Sequence, residues 1–233
     1  MASYLTRFAI PASAVPVLAA LPAEQKPIAV QVPGSEAYKV QHELKKAEII
    51  PTVINEFLPS FVLDAKWSSD NYADLGNTLK VDAAQDEPSI KIHPISGSSA
   101  LADDVTYTIT ITDPDAPSRD DPKWSEICHF IATGVSVSTN ISDSSSESVT
   151  LSGLKEIMPY KAPGPPPKTG KHRYVFLVFA PANGTSDSLN LTKPADRKHW
   201  GTGKEGNGVR DWALDNGLEP VAANFIYAQN EEQ

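Results

Sequence analysis

Two carboxylates and two prolines stand together in Asp113-Pro114-Asp115-Ala116-Pro117. Proline fixes its own backbone and bends the residue before it toward extended shapes. The segment therefore reads as a forced turn, and its X–Pro bonds are where a cis peptide would sit. A carboxylate aimed by such a turn can orient an imidazole or accept from an ammonium. It can also simply be solvated, since Asp and Pro are ordinary turn residues. A second segment, 164–174, reads GPPPKTGKHRY. Its proline loop runs into a strand and delivers His172 and Tyr174 to one face, with Arg173 on the other. Imidazole N–H and phenol O–H groups are anion donors, and a protonated imidazole adds charge.

Other candidate chemistry is weaker. The 164–174 segment echoes a phosphate loop, but its spacing is off by one and a histidine follows Lys171. Its three prolines also lack the N–H donors that cradle phosphate. Residues 201–206, GTGKEG, match G-x-G-x-x-G, yet DRKHW precedes them instead of a strand, so they read as a loop before a helix. Cys128 and His129 are adjacent, and neighbours on a strand face opposite sides. Cys128 is accordingly read as a core residue rather than a nucleophile. There is no HExxH and no G-x-S-x-G. No metal set is complete and no cofactor is implied.

The elements that position these residues are mostly strands. Strand-like runs occupy 61–67, 90–95, 105–112, 127–135, 174–180 and 222–227. In 105–112, Val105, Tyr107, Ile109 and Ile111 alternate with threonines, which predicts a half-buried strand with a polar outer face. The run 174–180, YVFLVFA, predicts a strand buried on both faces. Ala37, Val40, Leu44 and Ala47 form one helix face behind a Ser35 N-cap. Val209, Trp212 and Ala213 predict a second helix, with Gly217 past its end. The serine-rich 136–152 stretch is expected to be a solvated loop. Strands dominate without regular strand–helix alternation, which argues against a doubly wound parallel sheet.

Residues 1–34 stand apart as a Pro/Ala/Val-rich stretch with no acid before Glu24. They fit either a targeting segment or an N-terminal arm; the rest, 35–233, is expected to form one domain. The chain has 233 residues with 20 Lys and Arg against 29 Asp and Glu, a net charge of −9. That balance repels phosphate backbones and disfavours nucleic-acid binding. No apolar run approaches the roughly 20 residues of a spanning helix. The single cysteine fits a reducing cytosol without excluding export.

Residues 112–118 (TDPDAPS), 124–129 (WSEICH), 164–168 (GPPPK) and 170–176 (GKHRYVF) together resemble the phosphatidylethanolamine-binding protein family. The resemblance covers roughly 35–233 and is closest to the family's fungal branch, which includes a carboxypeptidase inhibitor. It implies a mainly β fold: a central antiparallel sheet, a smaller sheet and peripheral α-helices. It also implies an anion pocket that binds a phosphate or phospholipid head group through Asp113, His129, Gly164, His172 and Tyr174. Trp124 would stand at the mouth and Tyr227 would close it. Pro114, Asp115, Pro117, Pro166 and Pro167 would shape it. The implied role is regulatory rather than enzymatic, with a serine carboxypeptidase of the carboxypeptidase Y type as protein partner. A signalling partner, a kinase or Ras regulator, is the alternative. A hydrolase using His129, His172 and Asp113 is a further one. The expected compartment is cytoplasmic or vacuolar, or secreted if 1–34 act as a signal.

Overall fold

The computed structural model describes residues 35–95, 105–136, 149–151, 153–185, 187 and 189–233. Both readings of 1–34 lie outside these residues, as does most of the serine-rich stretch. The first helix, α1 (Glu36–Lys46), forms where the periodicity places it. The Ser35 hydroxyl accepts from the Tyr38 N–H at 3.2 Å, and Ala37, Val40 and Leu44 are buried. Strands β1 (Phe61–Lys66), β2 (Asn77–Thr78), β3 (Ser89–Pro94), β4 (Thr106–Asp113) and β5 (Ile127–Ser136) follow. Then come β6 (Val149–Leu151), β7 (Lys155–Met158), β8 (His172–Pro181), helix α2 (Val209–Asp215) and β9 (Leu218–Ala228).

The strands form two sheets, a small one in the order β1-β3-β6 and a large one in the order β2-β9-β8-β4-β5-β7. The fold is mainly β, as the sequence predicts. The large sheet is antiparallel except at its edge, where the short β2 runs parallel to β9. One core lies between the sheets and joins Leu63 and Ile92 to Ile109, Ile111, Tyr174 and Phe176. A second covers the other face of the large sheet, where Leu44 of α1 and Trp212 of α2 pack with Val175, Leu177 and Phe179. β8 is thus buried on both faces, as YVFLVFA requires.

The threonine face of β4 corrects the sequence reading. Thr108, Thr110 and Thr112 are fully buried, because helices and loops cover that side. Two of the three hydroxyls pair internally, Thr108 with Thr133 at 3.0 Å and Thr112 with Glu126 at 2.9 Å, while that of Thr110 has no hydrogen-bond partner among the described residues. The methyl of a threonine packs as an apolar group and its hydroxyl can be spent locally, so alternation with threonine does not guarantee a wet face. Among the described residues no helix is long and apolar enough to cross a membrane.

Candidate ligand-binding pocket

The pocket forms where the end of β4, the start of β5 and the start of β8 meet. The three are neighbours in the large sheet, with Asp113 opposite Ile127 and Thr112 opposite Val175. In β5 the register slips: Ile111 pairs with Phe130, but Thr112 pairs with Cys128. His129 is the extra residue of this bulge. Cys128 then falls in the helix-covered core and Phe130 in the inter-sheet core. The His129 ring meets Tyr174 edge-on at 5.2 Å. Bulges re-aim side chains in this way. Cys128 is buried, and burial pushes its thiol up to about 12, as befits a core residue.

The turn after β4 separates its two acids. Asp113 Oδ1 accepts from the Asp115 N–H at 2.7 Å, and its Oδ2 accepts from His172 Nδ1 at 2.9 Å. Asp115 turns the other way. Its carboxylate accepts from Arg173 Nε at 2.9 Å, Nη2 at 2.6 Å and the backbone N–H at 2.7 Å. Arg173 Nη1 reaches the carbonyls of Ala47 and Glu48, so this ion pair ties the turn to the end of α1. The Ala116–Pro117 and Ser125–Glu126 peptides are cis, both close to this turn.

Hydrogen-bond partners assign the imidazole protons. His129 Nδ1–H donates to the Lys161 carbonyl at 2.7 Å. Burial lowers its pKa from the usual value, against the opposing pull of Asp113, so near neutral pH its Nε2 carries a lone pair. The Thr169 hydroxyl donates to the Pro166 carbonyl at 2.7 Å, so its 3.0 Å contact with His172 is an Nε2–H donation. His172 is thus held at both ring nitrogens, by Asp113 at Nδ1 and by Thr169 at Nε2. The Asp113–His172–Thr169 chain has the members of an acid–base–nucleophile relay, but the hydroxyl proton runs away from the imidazole. Thr169 is also not among the residues lining the cavity. The Tyr174 hydroxyl accepts from the Gly164 N–H at 3.3 Å. Burial first, then Asp113, keeps it protonated.

These groups surround a cavity of about 270 Å³. Asp113, Pro117, Trp124, His129, Gly164, Pro166, His172 and Tyr174 all line it. Four of the expected residues do not. Pro114 and Asp115 are buried behind the turn, and Pro167 is exposed. Tyr227 is the fourth. It stands opposite Arg173 in register, hence on the face away from His172 and Tyr174, and its ring packs on Phe225 at 5.7 Å. Strand alternation excludes it from the pocket.

The cavity also holds residues that sequence reasoning missed: Lys161, Asp196, Arg197 and Lys198. Arg197 spends its guanidinium on the carbonyls of Cys128, His129 and Pro159. Lys198 is bridged to Ile127 by its backbone, and its ammonium lies 4.2 Å from the Trp124 ring centroid. The DRKHW run was the available signal, but nothing in its own pattern says which strand it borders. A larger hollow of about 610 Å³ opens between residues 54–60 and α2. It gathers no imidazole, and the smaller cavity has the convergent polar groups of a ligand site.

The family model described as phosphatidylethanolamine-binding protein matches residues 69–226. The carboxypeptidase Y inhibitor of Saccharomyces cerevisiae is 34% identical over 205 residues, covering 80% of this chain and 93% of the relative. CEN-like protein 1 of Nicotiana tabacum is 30% identical over 196 residues, covering 84% and 96%. Among solved structures, a carboxypeptidase Y inhibitor complexed with its cognate proteinase superposes with a TM-score of 0.76 at 32% identity, covering 85% and 98%. A phosphatidylethanolamine-binding protein from Plasmodium vivax shares the fold at 19% identity, with a TM-score of 0.61 and coverage of 82% and 97%.

Proposed function

This chain belongs to the phosphatidylethanolamine-binding protein family, and from that premise we propose that it is a phosphoryl- and head-group-binding regulator that inhibits a serine carboxypeptidase of the carboxypeptidase Y type. The observation that carries the inhibitor reading is the likeness over 98% of the length of a proteinase-bound inhibitor. The pocket supports the ligand half. Tyr174 keeps a proton to donate, Asp113 orients the His172 imidazole, and the His129 Nε2 lone pair can take a proton from an acidic phosphoryl group. A cavity of about 270 Å³ suits a head group, not acyl chains. Neither imidazole activates a hydroxyl at the cavity wall, so the arrangement favours recognition over hydrolysis. A proteinase partner of this type fits a cytoplasmic or vacuolar protein.

The test is a titration of carboxypeptidase Y with the full-length chain, followed on a chromogenic peptide. Stoichiometric loss of peptidase activity is expected. Full activity in the presence of a molar excess would overturn the inhibitor half. Isothermal titration with O-phosphoethanolamine checks the ligand half independently. Saturable binding that is weakened in Tyr174→Phe is expected, and no heat from the native chain contradicts it.

A further inference from the structure

Lys161, Arg197 and Lys198 bring three cations to the cavity of a chain whose net charge is −9. No salt bridge joins any of them to a carboxylate among the described residues. Asp196 is the acid nearest in sequence, and its Oδ1 accepts from the Lys198 backbone N–H at 3.1 Å. Arg197 is held in place by three carbonyls, which accept from Nη1 and Nη2, so its guanidinium is fixed where it stands. Lys198 differs. Its backbone is anchored to the first residue of β5, while its ammonium rests on an indole that is itself 37% exposed. The Trp124 backbone is held in turn by its main-chain N–H, which donates to the Ala116 carbonyl at 2.9 Å. The ammonium thus bridges two walls of the pocket mouth through its softest contact. A partly exposed cation–π contact is weaker than a charge-assisted hydrogen bond to a phosphoryl oxygen.

We propose that Lys198 is the residue that makes this pocket prefer a terminal phosphate monoester to a phosphodiester head group: its ammonium leaves the Trp124 ring and pairs with a phosphoryl oxygen of the bound ligand. The inference rests on the phosphoryl-binding reading above and narrows it. A monoester carries up to one more negative charge than a diester near neutral pH. Asp113 is already matched by His172, so the charge that Lys198 and its neighbours add has no internal counterpart except Asp196. The additional oxygen and charge of a monoester are what a free ammonium can use. The same chemistry is offered by a small phosphorylated metabolite or by a lipid whose head is a bare phosphate. The acidic surface disfavours approach to an anionic leaflet, which makes the soluble source the stronger expectation.

The experiment measures affinity by isothermal titration at pH 7.5 for glycerol 3-phosphate and for glycerophosphoethanolamine, with tryptophan emission recorded in parallel. The native chain is expected to bind the monoester more tightly. Lys198→Met should weaken the monoester about tenfold and the diester about twofold. Monoester binding should change the emission of the native chain but not that of Trp124→Phe. Lys168→Met, which removes an exposed lysine paired with Glu232 at 3.5 Å outside the cavity, should behave as native. A monoester preference that survives in Lys198→Met overturns the proposal while leaving the pocket reading intact. No binding of either probe by the native chain removes that reading and this inference with it. Phosphatidylcholine vesicles containing phosphatidic acid form the last arm. Lys198-dependent binding to them supports the proposal and assigns a lipid source. Lys198-dependent binding of glycerol 3-phosphate alone supports it and assigns a soluble one.

Discussion

Asp113 and Asp115 sit two residues apart in one turn, both buried, and each pairs with one of two adjacent residues of β8. Asp113 faces the cavity and holds His172. Asp115 faces the helix-covered core and holds Arg173, which carries the contact on to the Ala47 and Glu48 carbonyls. The difference lies in the partners. Arginine cannot shed its proton and has five donors, so its pair closes on itself and serves as scaffold. Histidine can exchange protons, and the space beside it is open, so its pair remains available to a ligand. One proline-stiffened turn thus builds the scaffold and lines the cavity together.

The largest test of this contrast is to strip the scaffold pair. Arg173→Met leaves the Asp115 carboxylate buried without its cation, and chemical denaturation should show a loss of about 3–5 kcal/mol. A loss below about 1 kcal/mol would mean that Asp115 is not the structural half. A third acid sharpens the contrast. Glu126 is also buried, but among the described residues only the Thr112 hydroxyl and the Val209 N–H donate to it, and a Cβ on Gly208 would overlap its carboxyl. Burial raises its pKa to about 7, opposed by those two hydrogen bonds and by Arg210. The folded state therefore holds this proton more tightly than the unfolded state does. The contribution to stability is full below about pH 4.5 and is lost as pH rises to about 7, where it levels off. The loss is about 3 kcal/mol in all. Glu126→Gln should flatten that slope in denaturation curves taken between pH 5 and 8; an unchanged slope would assign it to other groups.

A smaller effect is expected at His129. Burial lowers its pKa and leaves the ring neutral near neutral pH, and an entering anion favours its protonation. Affinity for sulfate, which does not itself titrate here, should therefore fall severalfold from pH 5.5 to 7.5 in the native chain. In His129→Gln it should change less. Equal slopes would remove His129 from the anion contact.

Much of the site was legible in the sequence because its residues lie on strands whose alternation and neighbours are strongly patterned. His172 and Tyr174 share a face by period two, and Asp113 ends an alternating strand. Tyr227 shows the limit of likeness as a guide: its register opposite Arg173 turns it from the pocket. The bulge at His129 has no signature in ICHF, since a single unpaired residue is a property of two strands, not of one. Lys161, Arg197 and Lys198 lie on loops without periodicity, and only the folded topology brings them to β5. The short strands β2, β6 and β7 escaped for a related reason. With two to four residues each, they are defined by the edges they pair with.

The division of the turn is tested most directly by comparing Asp113→Asn with Asp115→Asn in thermal melts and phosphate titrations. Asp115→Asn should lose several degrees or more of melting temperature, because Arg173 stays charged and buried. Asp113→Asn should melt close to the native chain, since its amide oxygen can still accept from His172 Nδ1, yet bind phosphate about tenfold more weakly. Equal losses of melting temperature in both variants, with phosphate affinity unchanged in Asp113→Asn, would contradict the account.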